Sequence, residues 1–139
     1  MSYGASAALQ AAVWQHLRSD PAVAEIVGDA VFDAMPVNPP AGVHVALGAE
    51  EVRDAGDMTG AGSRHDFVVS VLSGADEGAG FTAVKEAAAA VADALDQGQL
   101  ALSRGRLAGL WFLRAAARRT GNGAGRQVDL TFRARIDLG

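Results

Sequence analysis

Cysteine is absent from the 139-residue chain, which excludes disulfides, Cys-ligated zinc, iron–sulfur clusters and thiolate catalysis. Aromatic residues are few: five Phe, two Trp and one Tyr. Lysine is nearly missing too, since Lys85 stands alone among 12 basic residues and the rest are arginine. With so much alanine and glycine, that bias reflects a GC-rich genome rather than a functional choice. No apolar run approaches the roughly 18 residues that cross a bilayer. Met1 to Ala8 carry no basic segment ahead of an apolar one, so no secretory signal is expected and the product is expected to be soluble and intracellular.

The hydrophobic content is 50%, yet 30 residues are alanine, so the core is thin per residue and would gain from wide contact with a partner. The length predicts a single domain over residues 1–139. Charge is segregated along it. Residues 1–97 hold 4 basic and 14 acidic groups, whereas residues 98–139 hold 8 basic and 2 acidic groups. Such polarity points to charged partners or to self-association of unlike faces.

The apolar spacing predicts an α+β order. Ser6 is placed as the N-cap of an amphipathic helix carrying Leu9, Val13 and Leu17. Asp20-Pro21 caps and restarts a short second helix, which Gly28 closes. Ala30 to Asp33 reads as a short strand, and the triple-proline stretch 35–40 as an extended surface crossing. Val43, Val45 and Leu47 alternate with His44, Ala46 and Gly48, the period of a strand with one wet face. Residues 54–63 read as a mobile loop or hairpin arm, and 64–73 as an interior strand covered on both faces. Gly74 to Gly80 is a turn. Phe81 to Gln97 forms a helix closed by Gly98, and the alanines at 87–90 let it lie close against a sheet. Leu100–Leu102 and Leu107–Ala117 read as strands, 121–125 as a glycine-rich tip, and Val128 to Ile136 as a final amphipathic strand.

Catalytic constellations are sparse. His16, His44 and His65 form no HxH or HExxH pattern, and His44, His65 and Asp66 could hold a metal only if their strands pair. The more ordinary expectation is surface histidines on strand edges. No GxSxG elbow anchors a hydrolase triad. Glu50 and Glu51, adjacent on a strand, point to opposite faces; like Asp76-Glu77, they read as solvated charges. The glycine-rich tip lacks the Lys-Ser or Lys-Thr of a phosphate loop. Trp14 and Trp111 read as packing residues. The basic tract stands out: Arg114, Arg118, Arg119, Arg126, Arg133 and Arg135 flank or lie on the terminal hairpin. They make a basic ribbon for an acidic surface, or else a solvated strand face that discourages edge pairing. Nucleic acid is the weaker ligand, because aromatics are not interleaved between Arg114 and Arg126.

The order of segments resembles the small tail-completion or tail-terminator proteins of long-tailed phages and phage-like gene transfer agents. The stretches that carry the likeness are ALQAAVWQHLRSDPAVAEIVG, AVFDAMPVNPPAGVHVALG, VRDAGDMTGAGSRHDFVVSVLS and LALSRGRLAGLWFLRAAARR with GRQVDLTFRARI. The tip TGNGAG departs from the more polar turn expected of such proteins. The resemblance implies a mainly antiparallel sheet of four to five strands with two to three helices packed against it. It also implies a structural virion assembly protein without enzymatic activity or cofactor. Such a protein would form a ring, hexameric by the resemblance, that caps the head-proximal end of the tail tube and ends its polymerisation. Its partners would be other copies of itself, the tail tube protein and the head-tail connector or stopper protein. DNA would meet it only in transit through the pore, and a membrane not at all. Its location would be the neck-proximal tail of a virion or phage-like particle, and before assembly the cytoplasm of the producing bacterium. The interface residues expected on this reading are Arg53, Asp57, Arg64, Arg114, Arg118, Arg119, Arg126, Arg133 and Arg135. A head-closure or adaptor protein of the neck is the nearest alternative, and a small ligand- or metal-binding domain a more distant one.

Overall fold

The computed structural model describes residues 3–74, 81–120 and 125–139. Two helices, α1 (Ser6–Ser19) and α2 (Pro21–Val27), precede the strands β1 (Val31–Phe32), β2 (His44–Asp54) and β3 (Gly62–Ser73). Helix α3 (Thr82–Leu95) then leads to β4 (Arg106–Thr120) and β5 (Gly125–Asp137). The five strands form one sheet in the order β1-β2-β3-β5-β4. Only β1 and β2 run parallel; the other pairs are antiparallel. This is the α+β architecture read from the periodicity, with five strands and three helices.

The helices lie on one face of the sheet. Leu9, Val13 and Leu17 of α1, Val23 and Val27 of α2, and Val84, Val91 and Leu95 of α3 join one hydrophobic cluster with Val45, Val69, Val71, Leu130, Phe132 and Ile136. Each of these buried aliphatic or aromatic side chains contributes about 1.5–3 kcal/mol over its exposed state. At the centre, Phe132 is fully buried, stacks on Phe67 with centroids 5.6 Å apart and meets Phe112 edge-on at 5.8 Å.

Capping follows the sequence at one helix and departs from it at two. Asp20 accepts from the Ala22 and Val23 amides at 3.0 and 3.1 Å, Pro21 opens α2, and Gly28 at φ 64° ends it. Ser6, by contrast, is the first residue of α1 rather than its cap, and its hydroxyl donates to Glu50 Oε1 at 2.6 Å. At the end of α3 the left-handed residue is Gln97 (φ 61°), not Gly98, and its amide donates to the Leu110 carbonyl at 2.9 Å.

Other expectations change in the sheet. β3 is central but covered by helices on one face only; Arg64, Asp66, Val68, Ser70 and Leu72 lie on the other face. His44 and Ala46 are buried rather than wet. Residues 100–102 form no strand; Leu100 and Leu102 pack against the core from a loop. The 55–61 connection is a pinned turn. Asp57 Oδ1 accepts from the Thr59 amide and hydroxyl, both at 2.8 Å, and from the Gly60 amide at 3.0 Å. Ala61 then exchanges backbone hydrogen bonds with Leu138 and Gly139. The expected turn over Gly74–Gly80, with Asp76-Glu77, lies outside the described residues except at Gly74, and so does the 121–124 tip.

Candidate interface

Strand register sorts the arginines. The face of the sheet away from the helices carries Arg53, Arg64 and Arg135 side by side on β2, β3 and β5. The next row holds Glu51, Asp66, Arg133 and Trp111, and farther along β4 come Arg114 and Arg118. Six of the nine expected interface residues therefore share this open face. Arg119 and Arg126 pair across β4 and β5 on the helix-covered face, and the Arg126 guanidinium sits 5.5 Å from the Phe81 ring centre. The structure thus separates them from the ribbon, because adjacent strand residues alternate faces. Asp57 lies in the β2–β3 turn, close enough to Arg135 to feel its charge.

Several of these charges are committed within the chain. Arg133 makes a bidentate pair with Asp66, at 2.8 and 3.1 Å. The hydrogen bonds from Arg133 hold the Asp66 carboxyl below its ordinary range, with the Arg133, Arg64 and Arg53 charges adding to them against the cost of burial. Asp66 in turn raises the pKa of Arg133. Burial opposes ionisation of Asp129, but hydrogen bonds from Gln127 and Ser70, together with Arg118, outweigh it and lower its pKa. Hydrogen bonds from Thr59 and Gly60 lower that of Asp57. Arg53 pairs with Glu51 at 2.7 Å, and Arg135 donates to the Ala55 carbonyl at 2.9 Å. The Arg64 Nε is buried and has no hydrogen-bond partner among the described residues. Like charges placed directly opposite one another cost stability, a cost that Glu51 offsets at Arg53.

The histidines do not build a metal site. Strands β2 and β3 do pair, but His44 lies opposite Leu72 on the open face while His65 points under the helices. Both are buried, not on strand edges. No group of three or more metal-ligating side chains occurs among the described residues. His65 Nδ1 lies 3.0 Å from Glu50 Oε2, and Nε2 lies 2.8 Å from Ser63 Oγ. The connectivity matches a Ser–His–carboxylate relay, but Ser63 and His65 are 0% exposed, so no substrate reaches the hydroxyl. The arrangement instead ties β2, β3 and, through Ser6, the start of α1. A bulge at Gly48-Ala49 turns Glu50 inward, leaving Glu51 on the open face.

Trp111 is 38% accessible, and the two residues after it, Phe112 and Leu113, are 39% and 42% accessible. Trp14 instead donates its indole N–H to the Val31 carbonyl at 2.9 Å and lies under Arg18. The run LWFL, apolar at consecutive positions, is the signal that could have marked an edge strand seeking cover.

The family model described as tail completion protein gp17 matches residues 11–137. A chain of the solved "Virion of native gene transfer agent (GTA) particle" is 57% identical, with a TM-score of 0.88, over 98% of this chain and 99% of that one. No curated protein matches.

Proposed function

The chain belongs to the tail completion protein gp17 family, and from that premise we propose that it forms a ring closing the head-proximal end of a tail tube. In this reading it is a structural virion protein that ends tube polymerisation and joins the tail to the head-neck connector. Its partners are further copies of itself, six by the family likeness, with the tube protein on one side and a connector or stopper on the other. DNA passes through the pore. The observation that carries the reading is the match to a virion chain over nearly the whole length of both.

The surface chemistry supports it. Ring closure needs a patch on one copy that meets a different patch on the next. Arg53, Arg64, Arg133 and Arg135 on the open face, with Asp57 beside them and Arg114 and Arg118 farther out, supply charged contact for a neighbour. Termination needs one ring face that accepts the last tube ring and another that refuses a further one, which is specificity by mismatch.

Size-exclusion chromatography with light scattering, followed by negative-stain imaging with tail-tube protein, tests the proposal. Rings seated on tube ends are expected. Failure to form rings with tube ends present would overturn it, and capture by the connector with none by the tube would move the protein to a neck adaptor role.

A further inference from the structure

Strand β4 ends the sheet, and the described residues close only part of its outer edge. Gln97 donates to the Leu110 carbonyl, and the Phe112 amide donates to Asp96 Oδ1, both at 2.9 Å. Beyond Phe112, no backbone hydrogen bond among the described residues reaches that edge. On the helix side, an apolar cleft of about 340 Å³ opens between Ala88, Ala89 and Ala92 of α3 and Phe112, Ala115 and Ala117 of β4. Its size falls within the roughly 300–1,000 Å³ of ordinary binding clefts. Lys85 lines the cleft, and Arg119 and Arg126 lie on the same face of the sheet, whereas Arg106, Arg114 and Arg118 lie on the other.

The opposite edge of the sheet has the complementary character. β1 is only two residues long, and the segment after it leaves Met35 50% and Val37 95% exposed. Asp29 and Asp33 flank β1, and Pro36, Pro39 and Pro40 restrict the backbone of the segment, which bends at Val37-Asn38. Proline-rich segments lose little entropy on docking and seat in apolar grooves lined by aromatic side chains.

We infer that the α3–β4 cleft of one copy receives Met35 and Val37 of a second copy, with the acidic flank of the incoming edge set against Lys85, Arg119 and Arg126 on the cleft side. The contact rests on the ring reading above and names the surfaces that make it. Cleft and proline segment lie on opposite edges of one sheet, so each copy offers both and the contact repeats head to tail. It cannot form within one copy. Four strand spacings of about 4.8 Å separate the edges by roughly 19 Å, whereas a disulfide needs Cα atoms within about 7 Å.

The absence of native cysteine makes the test clean. The full chain carrying Val37→Cys and Ala115→Cys is assembled, oxidised and run on a non-reducing gel beside each single variant. A ladder of covalent multimers is expected from the double variant and no species beyond a dimer from either single one. Ala89→Trp, a change at an exposed helix position, should fill the cleft and raise the concentration needed for assembly by about tenfold or more. Rings seen by light scattering without the ladder, and unaffected by Ala89→Trp, would overturn this contact and leave the ring standing. No rings at all, with tube ends present, would remove the ring reading instead.

Discussion

His65→Ala is the substitution whose cost can be reasoned most completely. The imidazole is fully buried and bridges Ser63 Oγ at 2.8 Å and Glu50 Oε2 at 3.0 Å. Nδ1 faces the carboxylate and Nε2 faces the Ser63 hydroxyl. Removing the ring strands that hydroxyl at 0% exposure, a cost of about 2 kcal/mol. The Glu50 side chain keeps 20% exposure and its bond from Ser6, so its loss is nearer about 1 kcal/mol. The vacated volume adds about 1 kcal/mol. The sum, about 4 kcal/mol, is a large share of the 5–15 kcal/mol typical of a domain. Urea unfolding of the wild type, both single alanine variants and the Ser63/His65 double variant measures it. Once His65 is gone, Ser63→Ala removes the orphan hydroxyl, so the double variant should be about 2 kcal/mol more stable than additivity predicts. A coupling below about 0.5 kcal/mol would refute the reasoning.

Three further outcomes are expected. The Asp66 pKa is depressed in the folded chain, so its contribution is present above the unfolded value near 4 and is lost as pH falls through the folded value. Asp66→Asn should therefore lower the free energy of urea unfolding at neutral pH by about 1 kcal/mol, discounted because Arg133 is 36% exposed, and the gap to wild type should close in acid; a constant gap down to about pH 2 would exclude it. A Cβ at Gly109 would lie 2.5 Å from the Trp111 ring, so Gly109→Ala should swing the indole outward, red-shifting its fluorescence in a Trp14→Phe background while stability changes by about 1 kcal/mol or less. Reversing Arg118 and Arg119 to Glu should cut the yield of joined particles and leave the melting temperature of the free chain nearly unchanged, because exposed charges steer association more than folding; an unaltered yield would exclude that role.

Local signals carried most of the fold. The four-residue spacing of Leu9, Val13 and Leu17, the Asp20-Pro21 start and the alternation through Val128, Leu130 and Phe132 each matched the observed element. Phase was harder. The bulge between Leu47 and Glu50 shifts β2 by one residue, so alternation extended from Val45 would send Glu51 inward when Glu50 goes there. Gly48 was the visible hint. The helix ends misled for a related reason: Ser6 and Gln97 answer to distant partners, Glu50 and Leu110, which no local motif encodes. Of the interface, Arg114 with Arg118 and Arg133 with Arg135 were placed together by strand period. Their meeting with Arg53 and Arg64 required the β3–β5 pairing, and the exposure of Trp111 required knowing that β4 is an edge.

The row of Arg53, Arg64 and Arg135 also bears on how the free subunit responds to its solvent. Three guanidinium groups on neighbouring strands repel one another, and dissolved ions screen that repulsion over a length that shrinks from about 10 Å at 0.1 M to about 3 Å at 1 M salt. The row should thus cost the uncomplexed chain less as ionic strength rises, against the weakening that salt brings to the Arg53–Glu51 and Arg133–Asp66 pairs. A docked carboxylate would do the same work permanently, making the subunit sturdier in its particle than alone.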